Sequence, residues 1–329
     1  MILKVILLLV PLQAKTFVLR KYLSIDQFHN SKENVVTLGM FDGVHRGHQS
    51  ILNRLTETAN DNNLDSLVLT FFPHPRMVLT PDNAPKLLNT IEEKSMLLKK
   101  TGINHLVIHP FSMDFSQMDA EDFVKRILVD KLKTKKIIIG YDHRFGKNRS
   151  ADFNDLVRFG EKYGFDVEKI SAQMVDEISV SSTKIRTALE KGEVHTAKEY
   201  LGYDYFFSGT VVHGKKVGRT IGFPTANFEI DETYKLIPGN GIYVVYSYIN
   251  NNKVWGMMSI GTNPTLGDNP QTIEVNYLDF NEDLYGQNLT VFMANKIREE
   301  ETFDSLDSLK NALNQDLLYT KNYIQHVAK

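Results

Sequence analysis

The stretch Gly39-Met-Phe-Asp-Gly-Val-His-Arg-Gly-His48 decides the first half of this chain. It follows a short apolar, β-branched run at residues 35–38. It precedes residues 49–60, where apolar side chains recur at three- and four-residue spacing. Strand, glycine-bearing turn and helix in that order put the turn at the carboxyl end of a parallel strand, where open α/β sheets bind ligands. A helix N-terminus there offers free N–H groups to phosphate. His45 and His48 are three residues apart, so both can project from one face of the first turn. Imidazoles so placed can donate hydrogen bonds to phosphate oxygens and offset charge as pyrophosphate leaves. Glycines 39, 43 and 47 frame the pair and argue against two incidental surface histidines.

Outward from this turn the same alternation continues. Residues 66–72, 105–108 and 136–140 read as further strands, and residues 91–101, 120–132 and 152–163 as amphipathic helices. Strand–helix alternation predicts a parallel sheet covered on both faces. Past Tyr205 the rhythm changes. Residues 206–213, 241–249, 254–261, 272–280 and 289–292 are rich in Val, Ile, Tyr and Thr, with no long helical pattern before residues 305–327. Asn250-Asn251-Asn252 is a natural hairpin tip, because Asn tolerates the left-handed conformation. This half reads as an antiparallel barrel or sandwich with a C-terminal helix, joined to the first half through a helical stretch at residues 192–205.

The 329 residues suffice for two domains, and 42% hydrophobic with 24% charged residues is ordinary globular composition. A formal net charge of −2 gives no support to nucleic-acid binding. The absence of cysteine excludes disulfides and thiolate metal sites and is compatible with a reducing cytosol. Residues 1–10, Met-Ile-Leu-Lys-Val-Ile-Leu-Leu-Leu-Val, look superficially like a secretory signal. The run falls short of the roughly 20 residues that span a bilayer. Leu12 also breaks a small-x-small cleavage site before Ala14. A strand extended upstream or a misassigned start are the other readings of this segment.

Two further motifs carry chemistry. In Ser179-Val-Ser-Ser-Thr-Lys-Ile-Arg186, Ser181 or Ser182 suits a helix N-cap and Arg186 projects one turn on, which makes either an anion site or simply a well-capped helix. In Gly218-Arg-Thr-Ile-Gly-Phe-Pro-Thr-Ala-Asn227, Thr225 and Asn227 place two hard oxygen donors after a proline that restricts the backbone, a good hold for a metal ion. Gly214 and Gly218 let a backbone approach phosphates closely. Gly209-Thr-Val-Val-His-Gly-Lys215 nearly spells a P-loop but has Lys216 where Ser or Thr belongs, and a strand-rich stretch follows it. Glu274 lies in apolar alternation, where a carboxylate is unexpected unless exposed or employed.

Residues 39–48, Phe72-Pro-His-Pro75, Gly140-Tyr-Asp-His-Arg-Phe-Gly146 and Ser181-Ser-Thr-Lys-Ile-Arg186 together resemble the adenylyltransferase module of bacterial bifunctional riboflavin kinase/FAD synthetases. Residues 209–227, Ile260-Gly-Thr-Asn-Pro-Thr265 and 272–280 resemble the riboflavin kinase module of the same family. The resemblance covers residues 17–327. It implies an α/β Rossmann-like nucleotidyltransferase domain at 16–190, a linker at 191–204 and a riboflavin kinase-like antiparallel β-barrel with a C-terminal helix at 205–329. Residues 1–15 stand apart as an apolar extension.

In function, the resemblance implies phosphorylation of riboflavin to FMN, then adenylylation of FMN to FAD, with ATP as co-substrate and Mg²⁺ as cofactor. The enzyme would be cytoplasmic, with small-molecule partners, no nucleic acid and no membrane, and its oligomeric state is left open. The nucleotide of adenylyl transfer would meet Gly39, Phe41, Asp42, Gly43, His45, His48, Asp142, Ser182, Thr183 and Arg186. Asn148 or Arg149 would approach its phosphates, and His74 the flavin phosphate. In the kinase, Gly214, Gly218 and Arg219 would meet ATP, Thr225 and Asn227 the metal, and Glu274 would act as base toward the ribityl hydroxyl. His143, Ala151 and Asn276 depart from the family pattern. Two alternatives follow: a flavin-binding regulatory protein with degenerate catalysis, or a protein in which only the kinase works.

Overall fold

The computed structural model describes residues 18–140, 144–170, 180–214, 217–262 and 271–327. Its first half is a six-stranded sheet made of β1 (Arg20–Tyr22), β2 (Asn34–Leu38), β3 (Asp65–Phe72), β4 (His105–Pro110), β5 (Thr134–Gly140) and β6 (Asp166–Ile170). Every neighbouring pair is parallel, in the order β1-β4-β3-β2-β5-β6. The chain leaves β2 toward β3 on one side and returns to β5 on the other, so β2 and β5 bound the switch point where open α/β sheets hold ligands. Residues 39–48 leave β2 there, and residues 140–146 begin at the end of β5.

Burial on both faces follows from the sequence of the central strands, in which consecutive apolar residues such as Val35-Val36, Leu67-Val68-Leu69 and Ile137-Ile138-Ile139 point to opposite faces. Val36, Leu38, Leu67, Leu69, Ile137 and Ile139 enter one core layer, whereas Val35, Val68, Leu106 and Ile138 enter the other with Leu52 and Leu55 of the helix Arg46–Asp61.

The second half is a closed barrel of β7 (Phe206–Val212), β8 (Ala226–Glu229), β9 (Gly241–Ile249), β10 (Asn252–Gly261), β11 (Thr272–Tyr277) and β12 (Asn288–Arg298). Its pairs are antiparallel, in the order β10-β11-β8-β7-β12-β9. A hairpin tip lies between β9 and β10 as expected, but it is two residues, Asn250 (φ 50°) and Asn251 (φ 65°), and Asn252 already belongs to β10. The C-terminal helix Leu306–Val327 is tied to the barrel by Arg298, whose guanidinium makes two 2.9 Å hydrogen bonds to Asp316.

Helices Ser182–Glu190 and Val194–Leu201 join the halves. Ile185, Leu189 and Leu201 share one buried cluster with Phe207, Tyr243 and Met258 of the barrel. A strip of the first domain is added directly: the Leu87 N–H donates to Tyr234 O (2.7 Å) and the Leu236 N–H to Leu87 O (2.8 Å). The α/β-then-barrel architecture expected from the sequence is observed. Three strands were not expected: β1, β6 and the four-residue β8, which carries Asn227. The expected helix over 120–132 is a short α-helical turn, Ala120–Asp122, running into a π-helix, Phe123–Lys131.

Two candidate active sites

At the switch point the 39–48 segment makes an unusually tight turn. Phe41 (φ 47°) and Val44 (φ 37°) are both left-handed, and Gly43 (φ 85°) lies against Leu88, whose side chain a Cβ would meet at 2.6 Å. His45 sits just outside the helix as its N-cap, and its Nδ1 accepts the His48 N–H at 3.3 Å. The two rings stack with centroids 3.6 Å apart, and Phe41 packs against His48. His45 is therefore a cap for the first turn, while His48 projects from it.

Burial pushes the His45 imidazole down to about 4 and holds that of His48 well below its usual range, with His45 and the Lys94 charge adding to the second effect. Both rings are neutral at pH 7. Because His45 Nδ1 is an acceptor, its proton resides on Nε2, free to donate. Buried His48 Nδ1 has no hydrogen-bond partner among the described residues.

The helix Ser182–Glu190 is joined to this turn. Ser181 is its N-cap, accepting the Lys184 N–H, and Ser182 Oγ donates to Asp42 O at 2.9 Å. Asp42, buried, accepts the Leu88 N–H (2.9 Å) and the Arg186 guanidinium (2.6 Å). Arg186 also donates to Lys86 O at 2.8 Å, and Thr183 is exposed on the first turn. His74 caps the helix Pro75–Leu79. Burial lowers it to about 4, with the Asp42 charge opposing the fall and the charges of Arg186, Lys94 and Arg76 adding to it. Asp142 and His143 lie outside the described residues. Asn148 (φ 55°) and Arg149 (φ 56°) form a left-handed pair, and Ala151 is buried, with Phe145 paired to it across a bridge.

On the barrel, β8 and β11 pair with Asn227 opposite Glu274. Ile273, Val275 and Tyr277 face the barrel core, so Glu274 faces outward by strand alternation. The Thr225 hydroxyl donates to the Glu274 carboxylate at 2.9 Å. Gly214 lies directly under the Asn227 amide, which a Cβ would meet at 2.3 Å, and a Cβ on Gly218 would meet Phe223 O at 2.2 Å. These two glycines are thus required by close packing of the loop, Gly214 on Asn227 and Gly218 on the Phe223 backbone. Arg219 is exposed at the loop's rim. Asn276, where the family usually has histidine, donates to Pro224 O at 2.7 Å and so steadies the turn before Thr225. Lys215 and Lys216 lie outside the described residues. The oxygen set of Thr225 and Asn227 beside a carboxylate fits Mg²⁺, a hard cation that leaves room for phosphate oxygens and water.

A switch-point phosphate turn joined to a barrel with an oxygen-donor corner defines a nucleotidyltransferase fused to a kinase. Comparison with known proteins gives the family. Residues 27–184 match the FAD synthetase model and residues 201–324 the riboflavin kinase model. The chain is 36% identical over 302 residues to the bifunctional riboflavin kinase/FMN adenylyltransferase of Buchnera aphidicola from Acyrthosiphon pisum, covering 90% of this chain and 96% of that one. It is 37% identical over 290 residues to that of Escherichia coli K12, covering 88% and 92%. A solved structure described as a macrolide-efflux protein from Streptococcus pneumoniae superposes with a TM-score of 0.83 at 32% identity, covering 92% of this chain and 99% of that one. The chain belongs to the bifunctional riboflavin kinase/FMN adenylyltransferase family.

Proposed function

We propose that the protein makes FAD in two steps at these two places: phosphorylation of riboflavin at the Thr225–Glu274 corner and adenylylation of FMN at the 39–48 turn. In the first step the ribityl 5′-hydroxyl attacks the γ-phosphorus of ATP and ADP leaves. Glu274 accepts the hydroxyl proton and orients the attack. Alignment matters more than base strength in so loose a transition state. Thr225 donates its own proton to Glu274, which leaves its oxygen lone pairs toward a cation, and Asn227 supplies the amide oxygen. Mg²⁺ held there would offset charge on the ATP phosphates. Gly214, Gly218 and Arg219 line the nucleotide's approach.

In the second step an FMN phosphate oxygen attacks the α-phosphorus of ATP, and pyrophosphate leaves in line. No protein nucleophile is needed, so positioning and charge complementarity carry the rate. His45 Nε2–H and His48 donate to the phosphates, Gly39, Phe41 and Gly43 shape the cradle, and Ser182, Thr183 and Arg186 flank it. Asp42 acts by holding Arg186 and the 88–89 backbone in place. His74 approaches the FMN phosphate, and Asp142 keeps the nucleotide role that the family resemblance gives it. We assign the protein to the cytoplasm with small-molecule partners. No helix of the described residues is long and apolar enough to cross a membrane.

The observation that carries this reading is the pairing of Glu274 with both Thr225 and Asn227 in one barrel, 2.9 Å separating the carboxylate and hydroxyl. Chromatography of flavins after incubation with riboflavin, Mg²⁺ and ATP tests it. FMN appearing first and FAD later is the expected course. Saturable flavin binding with no ATP consumed would overturn it.

A further inference from the structure

Lys94 is 2% exposed, yet no carboxylate among the described residues pairs with it directly. Its ammonium donates to Met40 O at 2.8 Å, in the turn that leads to His45 and His48. A lysine ammonium has three donors, so two N–H groups remain without a protein acceptor among the described residues. The acids near it are spent elsewhere: Asp42 on Arg186 and Glu93 on Lys235. A buried cation with one carbonyl partner is costly unless an anion completes it. Its charge acts on both His48 and His74, the histidines read as facing the ATP phosphates and the flavin phosphate.

We propose that Lys94 is a catalytic residue of adenylyl transfer, its ammonium completing its hydrogen bonds on the reacting phosphates of FMN and ATP. The proposal rests on the reading of the 39–48 turn as the adenylyl-transfer site. As the FMN oxygen bonds to the α-phosphorus and the bond to the bridging oxygen breaks, pyrophosphate leaves with that electron pair. Burial lowers the Lys94 ammonium from its ordinary value and the Asp42 charge opposes that fall; the bound phosphates hold it protonated through the step. It faces the charge that builds on the phosphorus and on the leaving oxygen in a water-poor site, where a fixed cation counts most. The competing role is a tie: Lys94 would only fasten the helix Ile91–Lys100 to Met40 O.

Lys94→Gln keeps an N–H donor for Met40 O and removes the charge, whereas Lys94→Met removes both. The full-length variants are assayed for FAD formation from FMN and, as a control of folding, for FMN formation from riboflavin. The expected result is a fall in adenylyl-transfer kcat of about a hundredfold in both variants. KM for FMN and ATP would move far less, inhibition by added pyrophosphate would weaken, and kinase activity would be retained. If Lys94→Gln keeps adenylyl transfer within about tenfold of the parent while Lys94→Met loses it, Lys94 is only the tie and the proposal fails. His48→Ala runs in parallel. FAD synthesis surviving in that variant would instead show that the reading of the site itself is wrong.

Discussion

The Lys235 ammonium lies 2.6 Å from the Glu93 carboxylate, and both side chains are sealed from solvent. Lys235 belongs to the barrel half and Glu93 to a helix of the α/β half. Lys235 also donates to Leu88 O and Phe206 O, while Glu93 accepts the N–H groups of Thr90 and Ser208. The pair therefore fixes the 88–94 segment, and with it Asp42 and Lys94, from the kinase side. Lys235→Met leaves a buried carboxylate without its cation, and stability is expected to fall by about 3–5 kcal/mol. Urea unfolding of parent and variant measures it, and a loss under about 1 kcal/mol would show the pair to be energetically idle.

Asp42 and Arg186 join the 39–48 turn to the helix Ser182–Glu190 by a second ion pair. Asp42→Asn weakens the hold on Arg186 and on the 88–89 backbone. Misplacing positioned groups in this way is expected to slow FAD formation by up to about a hundredfold, with FMN formation unchanged. Steady-state rates of the two half-reactions on one preparation decide it. Equal loss in both would mean that Asp42 supports the whole molecule and not this site.

Protonation of the buried histidines gives stability a pH dependence of defined sign. His45 and His74 are each held at about 4, against an unfolded value of 6.5. Between those values the unfolded chain binds more protons, so their contribution is fully present above about pH 6.5 and is lost as pH falls toward 4. Tm measured from pH 7.5 to 4.5 is expected to fall more steeply in the parent than in His45→Gln. Parallel profiles would contradict the depressed value assigned to His45.

Much of this was legible in the residues. Periodicity gave the parallel strands β2–β5 and the barrel strands β7, β9, β10 and β11 to within a few residues, because long apolar runs and Val/Ile/Tyr-rich runs leave little choice; of β12 it gave only the first part. β6 (Asp-Val-Glu-Lys-Ile) was illegible because three of its five residues are charged, and β8 because four residues are too few for a period. His45 was expected on the helix and is its cap, a difference that backbone angles decide. Glu93, Lys94 and Lys235 went unseen for another reason. Glu92-Glu93-Lys94 is a run of charges within an amphipathic helix pattern and Lys235 a lone lysine in a loop. Only tertiary packing, of Glu93 on Ser208 and Lys235, and of Lys94 on Met40, makes them buried.

The central claim is that one chain holds two separable catalytic sites, and Glu274→Gln with His48→Ala tests it most directly. Flavins are separated by chromatography after each variant is incubated with ATP and Mg²⁺, first with riboflavin and then with FMN. Glu274→Gln is expected to form no FMN yet convert supplied FMN to FAD, and His48→Ala to convert riboflavin to FMN and stop there. If either substitution, in a folded protein, silenced both reactions, the two-site account would be contradicted.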